Sequence, residues 1–151
     1  MRRRPLLAFP AVAVVAGCAG GPPAPAVVNL TIKAGPDLNR NAAGTPLAVA
    51  LRVYTLNARA RFTSADAYAL MDRDRAVLAD EGTRAEEIVV RPGETRNITL
   101  APKPDVRFIG VAVLFQEIDR SQWRAVAGIA PSGVTRLVLV LGSNRATLEA
   151  A

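Results

Sequence analysis

One thiol and no imidazole bound the chemistry open to this chain. Its 151 residues contain a single cysteine, Cys18, and no histidine. Without histidine there is no imidazole general base, and no Ser-His-Asp or Cys-His arrangement can be assembled. A lone cysteine closes no intrachain disulfide and supplies no thiolate cluster for zinc. The glycines do not form a phosphate-cradling pattern after a strand. What remains for acid–base work is a group of carboxylates, Asp72, Asp74, Asp80 and Glu81. Two such acids across a cleft would suit glycoside hydrolysis. The same residues also suit helix ends and a solvated face, and that is the use expected here. The residue types point away from an enzyme, and neither a cofactor, a metal nor a small-molecule substrate is expected.

The surroundings of Cys18 give its thiol a different use. Arg2, Arg3 and Arg4 make a cationic start, and Leu6 to Ala16 (LLAFPAVAVVA) is an apolar run. Eleven residues are too few to span a bilayer, which takes about 20, and Pro10 interrupts them. The run matches the apolar region of a secretory signal instead. Val15, Ala16 and Gly17 precede the cysteine, with Val15 standing where Leu is commoner, and Gly20 to Ala26 (GGPPAPA) follows as a Pro/Gly-rich tether. A thiol so placed is the acceptor for a thioether-linked diacylglycerol. Two or more acyl chains hold a protein stably, since each buried methylene contributes about 0.8 kcal/mol. The expected division is a signal peptide over 1–17, a lipidated tether over 18–26 and a folded domain over 27–151. Ala19, rather than Asp, follows the cysteine. In lipoproteins of Gram-negative bacteria as a class, that directs the chain to the periplasmic face of the outer membrane.

Loss of the signal leaves 134 residues, enough for one hydrophobic core. It also removes three arginines, which lowers the formal charge from +6 to +3. The remaining arginines are spread along the chain rather than gathered with aromatics, so nucleic acid is not an expected partner.

Stepping along the mature chain, the apolar pattern has period two. Val28, Leu30 and Ile32 oppose Asn29, Thr31 and Lys33, the signature of a half-buried strand. Leu47 to Leu56 repeats it, with Leu47, Val49, Leu51 and Val53 on one face and Arg52 on the other. Between about 63 and 81 the period becomes helical, through Tyr68, Leu70, Met71, Val77 and Leu78. Thr63 to Asp66 reads as a capping box, a break is expected near Asp72 to Asp74, and Gly82 is expected to end the helix. Ala85 to Val90 and Thr95 to Leu100 flank the turn Arg91-Pro92-Gly93-Glu94 and read as a hairpin across it. Val106 to Phe115 is apolar on both faces after Arg107, as a doubly covered central strand would be. Gln122 to Ile129, Thr135 to Leu141 and Arg145 to Leu148 complete the series, the last two joined by a turn at Gly142-Ser143-Asn144. About eight short strands with regular turns make an all-β, two-sheet β-sandwich with a short helical insertion.

Two features bear on recognition. Trp123, the only tryptophan, is either an exposed anchor or a core residue beneath the facing sheet, and core is the expected role. The stretch from Gly35 to Pro46 (GPDLNRNAAGTP) has 12 residues where a hairpin needs about 2 to 5. It is either a crossover between the sheets or a protruding loop with Leu38 as a small apolar anchor.

These residues, in order, resemble a known family. Ala34 to Asn39, Gly44-Thr45-Pro46, Arg52 to Leu56, Phe62, Leu70 to Asp74, Leu78, Arg91 to Glu94, Gly110-Val111-Ala112 and Trp123-Arg124 are similar to the type VI secretion lipoproteins called TssJ, SciN or VasD. The resemblance covers nearly the whole mature chain and follows a lipoprotein signal, as that family requires. It implies a transthyretin-like sandwich anchored in the outer membrane. It also implies binding to the periplasmic C-terminal part of the inner-membrane protein TssM, with TssL as an indirect partner. In the family the loop after the first strand contributes to that binding, which carries over to Asp37, Leu38, Asn39, Arg40 and Asn41. This chain departs from the pattern at Val15 and in an Arg-rich loop after Leu56. Two rival readings are a secretin-pilot lipoprotein and an envelope carbohydrate-binding sandwich. The β pattern weighs against the first, and an aromatic content of 5% against the second.

Overall fold

Alternation along the first strand is realised in full. In the computed structural model, which describes residue 17 and residues 20–151, strand β1 runs from Ala26 to Ala34 and buries Val28, Leu30 and Ile32. Strand β2 spans Val49–Leu56, β3 Gly82–Val90, β4 Thr95–Leu100, β5 Phe108–Val113, β6 Arg124–Gly128, β7 Gly133–Leu141 and β8 Ala146–Ala150. Among the described residues these eight strands form two four-stranded sheets, ordered β4-β1-β7-β8 and β3-β2-β5-β6. The expected two-sheet sandwich of about eight strands is therefore present. The expected signal peptide, apart from Gly17, and the start of the expected tether at Cys18 and Ala19 fall outside the described residues. Among the described residues, every strand and both apolar clusters lie between residues 26 and 150.

The main cluster fills the space between the sheets. Val28, Leu30, Ile32, Leu137 and Leu139 on one side meet Val49, Leu51, Val53, Ile109, Val111 and Val113 on the other. Fully burying a side chain of this kind is worth about 1.5–3 kcal/mol, so the sheet-to-sheet contact carries the fold. Among the described residues no buried side-chain nitrogen or oxygen lacks a partner.

A second cluster lies on the outer side of β2 and β5. Helices α1 (Ala60–Ser64) and α2 (Ala67–Leu78) cover that face, burying Phe62, Leu70 and Leu78 against Tyr54, Leu56 and Ala112. A side chain on Gly110 would come within 3.0 Å of Leu56 and the Phe62 ring, so only glycine lets the helices lie this close. This cover is why β5 is apolar on both faces.

The structure corrects three local expectations. Asp66 is itself the N-cap of α2, accepting from the Ala69 N–H at 3.0 Å, and Thr63 belongs to the preceding helix. The insertion therefore spans 60–78 rather than 63–81. Its break does fall where expected, at Arg73, whose backbone leaves the helical region. Helix α2 ends at Leu78 with Ala79 as its cap, and Gly82 instead opens β3. The third correction concerns the Pro-Gly turn. Gly93 adopts the expected positive φ of 76°, yet β3 and β4 do not pair with each other. β3 pairs with β2, and β4 with β1, so the turn is an arch between sheets. The reason is registry: β1 offers Val28 to Lys33 as partners for Leu100 to Thr95, and its other edge is taken by β7 in parallel.

Candidate docking surface

The long loop after β1 divides into a plug and a tip. Its first part closes one end of the sandwich. The Gly35 N–H donates to Leu141 O at 2.8 Å, the Gly93 N–H donates to Gly35 O at 3.1 Å, and the Leu47 N–H returns to Leu38 O at 3.0 Å. Leu38 is fully buried within the main cluster. Of the two readings of this stretch the crossover is realised, since β1 and β2 lie in different sheets, and Leu38 does not protrude: the only large apolar side chain in the loop gains more by sealing the core than by facing water.

Asn39 is buried as well, and its side chain is fully used. It sits at a φ of 47°, a left-handed conformation that Asn tolerates. Its Nδ2 donates to Ala48 O at 3.0 Å, and its Oδ1 accepts from the Gln116 N–H at 2.8 Å. The loop is thereby tied to the segment that follows β5, across 77 residues of sequence. Leu38 and Asn39 are thus buried parts of the scaffold. The surface contribution of the five residues named above falls to Asp37, Arg40 and Asn41, of which Arg40 is the most open to solvent in kind. Asn41 shapes the tip, its Oδ1 accepting from the Thr45 N–H at 2.9 Å while the Gly44 N–H donates to Asn41 O.

Neighbouring turns frame the tip. Glu94 holds the arch closed: it accepts from the Arg91 N–H at 2.8 Å and pairs with Arg96. These contacts, the Arg91 N–H first, lower the Glu94 pKa below the usual carboxylate value. On the other side lies Gln116 to Arg120, ending in a single 3-10 turn (Ile118–Arg120). The Tyr68 hydroxyl of α2 donates to Asp119 at 3.2 Å, joining the helical insertion to that segment.

Two of the four carboxylates named above, Asp74 and Glu81, hold structural contacts. Asp74 accepts from the Tyr54 hydroxyl at 3.2 Å and faces Arg84 at 3.5 Å, while Glu81 caps the Arg61 N–H at 2.9 Å. Burial, and next the Asp74 charge, push the Tyr54 phenol up to about 12. Asp72 and Asp80 are exposed. Arg52 reaches under the helix to donate to Met71 O at 2.7 Å and pairs with Glu87 at 2.9 Å. Trp123 is half-buried, packed against both clusters, with the Arg124 guanidinium 4.5 Å above its ring. Arg124 in turn donates to Phe62 O and Ala65 O, so this pair pins α1. Asn39 as a two-sided brace and Tyr68 as an exposed aromatic are the features that periodicity missed. An Asn inside a loop longer than a hairpin needs is the available signal for the first; for the second it is the two-residue offset of Tyr68 from Leu70, which puts the two on different faces of the helix.

Comparison with known proteins bears on the whole domain. A family model described as "Type VI secretion lipoprotein, VasD, EvfM, TssJ, VC_A0113" matches residues 26–148. The solved T6SS lipoprotein TssJ1 from Pseudomonas aeruginosa is similar at 30% identity and a TM-score of 0.80, covering 84% of this chain and 97% of that one. A chain of a solved type VI membrane complex is similar at 30% identity and a TM-score of 0.70, over 83% and 97% of the two chains. A chain in the structure of the T6SS protein TssM C-terminal domain (869–1107) from EAEC is similar at 28% identity and a TM-score of 0.69, over 83% and 98%. The search of curated proteins gives no match. Taken with the fold and its helical cover, the family match across nearly the whole sandwich shows that the chain belongs to the TssJ (VasD) family of type VI secretion lipoproteins.

Proposed function

We propose that this protein is held in the periplasmic leaflet of the outer membrane by acyl chains on Cys18. From there it docks the periplasmic C-terminal region of TssM, and through it meets TssL, in the trans-envelope complex of a type VI secretion system. Its role is structural rather than catalytic. Residues 1–17 act as the signal and 18–25 as the lipidated tether, one residue shorter than expected because Ala26 already pairs in β1.

The observation that carries this reading is the course of β1. The strand begins at Ala26, directly after the exposed stretch Gly20 to Pro25, and ends at Ala34, where the docking loop starts. Nine extended residues cover about 30 Å at roughly 3.3 Å each. A membrane anchor ahead of β1 therefore puts the loop at the far end of the sandwich, pointing into the periplasm. The arch at Arg91–Glu94 and the segment Gln116–Arg120 lie at that same end, bonded to the loop. A similar chain occurs in a structure of the TssM C-terminal domain, which supports the choice of partner.

Two experiments test the two halves. Density fractionation of cell envelopes should place the wild-type protein with the outer membrane and Cys18→Ser in the soluble periplasm. Persistence of Cys18→Ser in the outer-membrane fraction would contradict the anchor. For docking, Gly20–Ala151 is titrated calorimetrically with the periplasmic C-terminal region of TssM from the same bacterium. A saturable 1:1 interaction, weakened by Arg40→Glu, is expected; no heat of binding from a folded domain would remove the docking role.

A further inference from the structure

With Leu38 inside the core, the docking loop has no large apolar side chain to offer a partner. Its exposed residues are polar or small, and such surfaces lack the buried aromatic or aliphatic centre that carries most interface energy. The same end of the molecule does hold one. Tyr68, at the start of α2, is 56% exposed, the highest value among the large hydrophobic side chains described. It stands as a ridge between two hollows. One is lined by Asp66, Ala69, Met71, Asp72 and Arg73, the other by Gln116, Glu117, Ile118, Asp119 and Arg120.

Two hydrogen bonds make this ridge continuous with the loop. Tyr68 is bonded to Asp119, and three residues before Asp119 the Gln116 N–H is bonded to Asn39. The Asp119 contact orients the exposed ring, and a side chain already oriented loses less on binding. Charge around it is unbalanced: Asp66, Asp72, Glu117 and Asp119 outnumber Arg73 and Arg120. A segment laid over the ridge gains from cationic side chains flanking an apolar or planar group.

We propose that the docking surface is composite, with Tyr68 and the acidic hollows beside it receiving a cationic segment of the TssM periplasmic region while the loop tip at Arg40 fixes its register. This rests on the TssM docking reading. The surface covers the loop tip, the Gln116–Arg120 segment and the first turns of α2, and Tyr68 replaces Leu38 as its apolar centre.

The test is calorimetric titration of Gly20–Ala151 and its variants with the same TssM region, at low and at high salt. Tyr68→Ala should weaken binding at least tenfold while Tyr68→Phe, which keeps the ring, loses much less. Glu117→Arg, on an exposed turn, should weaken binding and flatten its salt dependence, and it serves where Tyr68→Ala disturbs the helix. Wild-type binding that is unchanged in Tyr68→Ala and in Glu117→Arg overturns the composite surface and leaves docking by the loop intact. Absence of wild-type binding overturns both.

Discussion

The Oδ1 of Asn39 accepts the backbone N–H of Gln116 at 2.8 Å, and this one contact joins the loop after β1 to the segment after β5. The same amide donates to Ala48 O, so both ends of the Asn39 side chain are committed. Asn39→Ala strands a part-buried N–H and a carbonyl together and removes a residue suited to a positive φ. A loss of about 2–4 kcal/mol is expected, since each stranded group costs roughly 1–3 kcal/mol. Urea unfolding of the variant checks this; a loss below about 1 kcal/mol would mean that water replaces both contacts.

Leu38 separates scaffold from surface. Leu38→Ala should cost about 2–5 kcal/mol, the range for a buried Leu truncated in a packed core. Its affinity for the TssM region, measured where the variant remains folded, should stay within a factor of two or so of wild type, because the side chain never reaches the partner. A stable but non-binding Leu38→Ala would restore the role of apolar anchor to this residue.

Ala79 is a cap in the wrong residue type. It closes α2 at φ 49° and ψ −119°, a region that favours glycine strongly. Ala79→Gly should therefore stabilise the domain by about 1 kcal/mol, glycine's extra freedom in the unfolded chain offsetting part of the relieved strain. Denaturant midpoints of the two proteins decide it, and an unchanged or lowered midpoint would contradict a strained cap.

Tyr54 links the fold to alkaline pH. Its folded-state pKa is raised from 10.0 to about 12, by burial first and the Asp74 charge second. A group whose pKa is raised on folding stabilises fully below its unfolded value and loses that contribution as pH climbs through the folded one. Stability should accordingly hold up to about pH 10 and fall between 10 and 12. Tyrosinate absorbance should show neither of the two tyrosines titrating at the ordinary value, since Asp119 also raises Tyr68. Asp74→Asn should bring the later of the two steps down.

How far the sequence foretold this arrangement depends on the range of the interaction. Val28, Leu30 and Ile32 declared their face through their immediate neighbours, and the strand followed. β5 declared its central place because both of its faces are apolar. The arch at Arg91–Glu94 departs from the expected hairpin because Pro-Gly sets the local turn and nothing about the pairing beyond it. The partner of β4 lies more than 60 residues earlier, and the parallel pairing of β1 with β7 spans about a hundred. For the site, loop length and a family resemblance pointed to residues 37–41, yet a lone Leu in a polar stretch reads alike whether it protrudes or plugs. Only the Leu38 position under the ends of both sheets settles that, and Tyr68 came to light by the same route. It counts among the apolar residues of the helix, yet it stands two residues before Leu70 and so on a different face, and with Leu70 buried Tyr68 is left outside.

Hydrogen exchange of Gly20–Ala151, alone and saturated with the periplasmic C-terminal region of TssM, tests the docking account most directly. Slowed exchange is expected over residues 35–46 and 116–120 and at the start of α2. The outer face of the β4-β1-β7-β8 sheet should be unaffected. Protection confined to residues 101–107 and 129–132, at the end of the sandwich nearest the tether, or absent altogether, would contradict it.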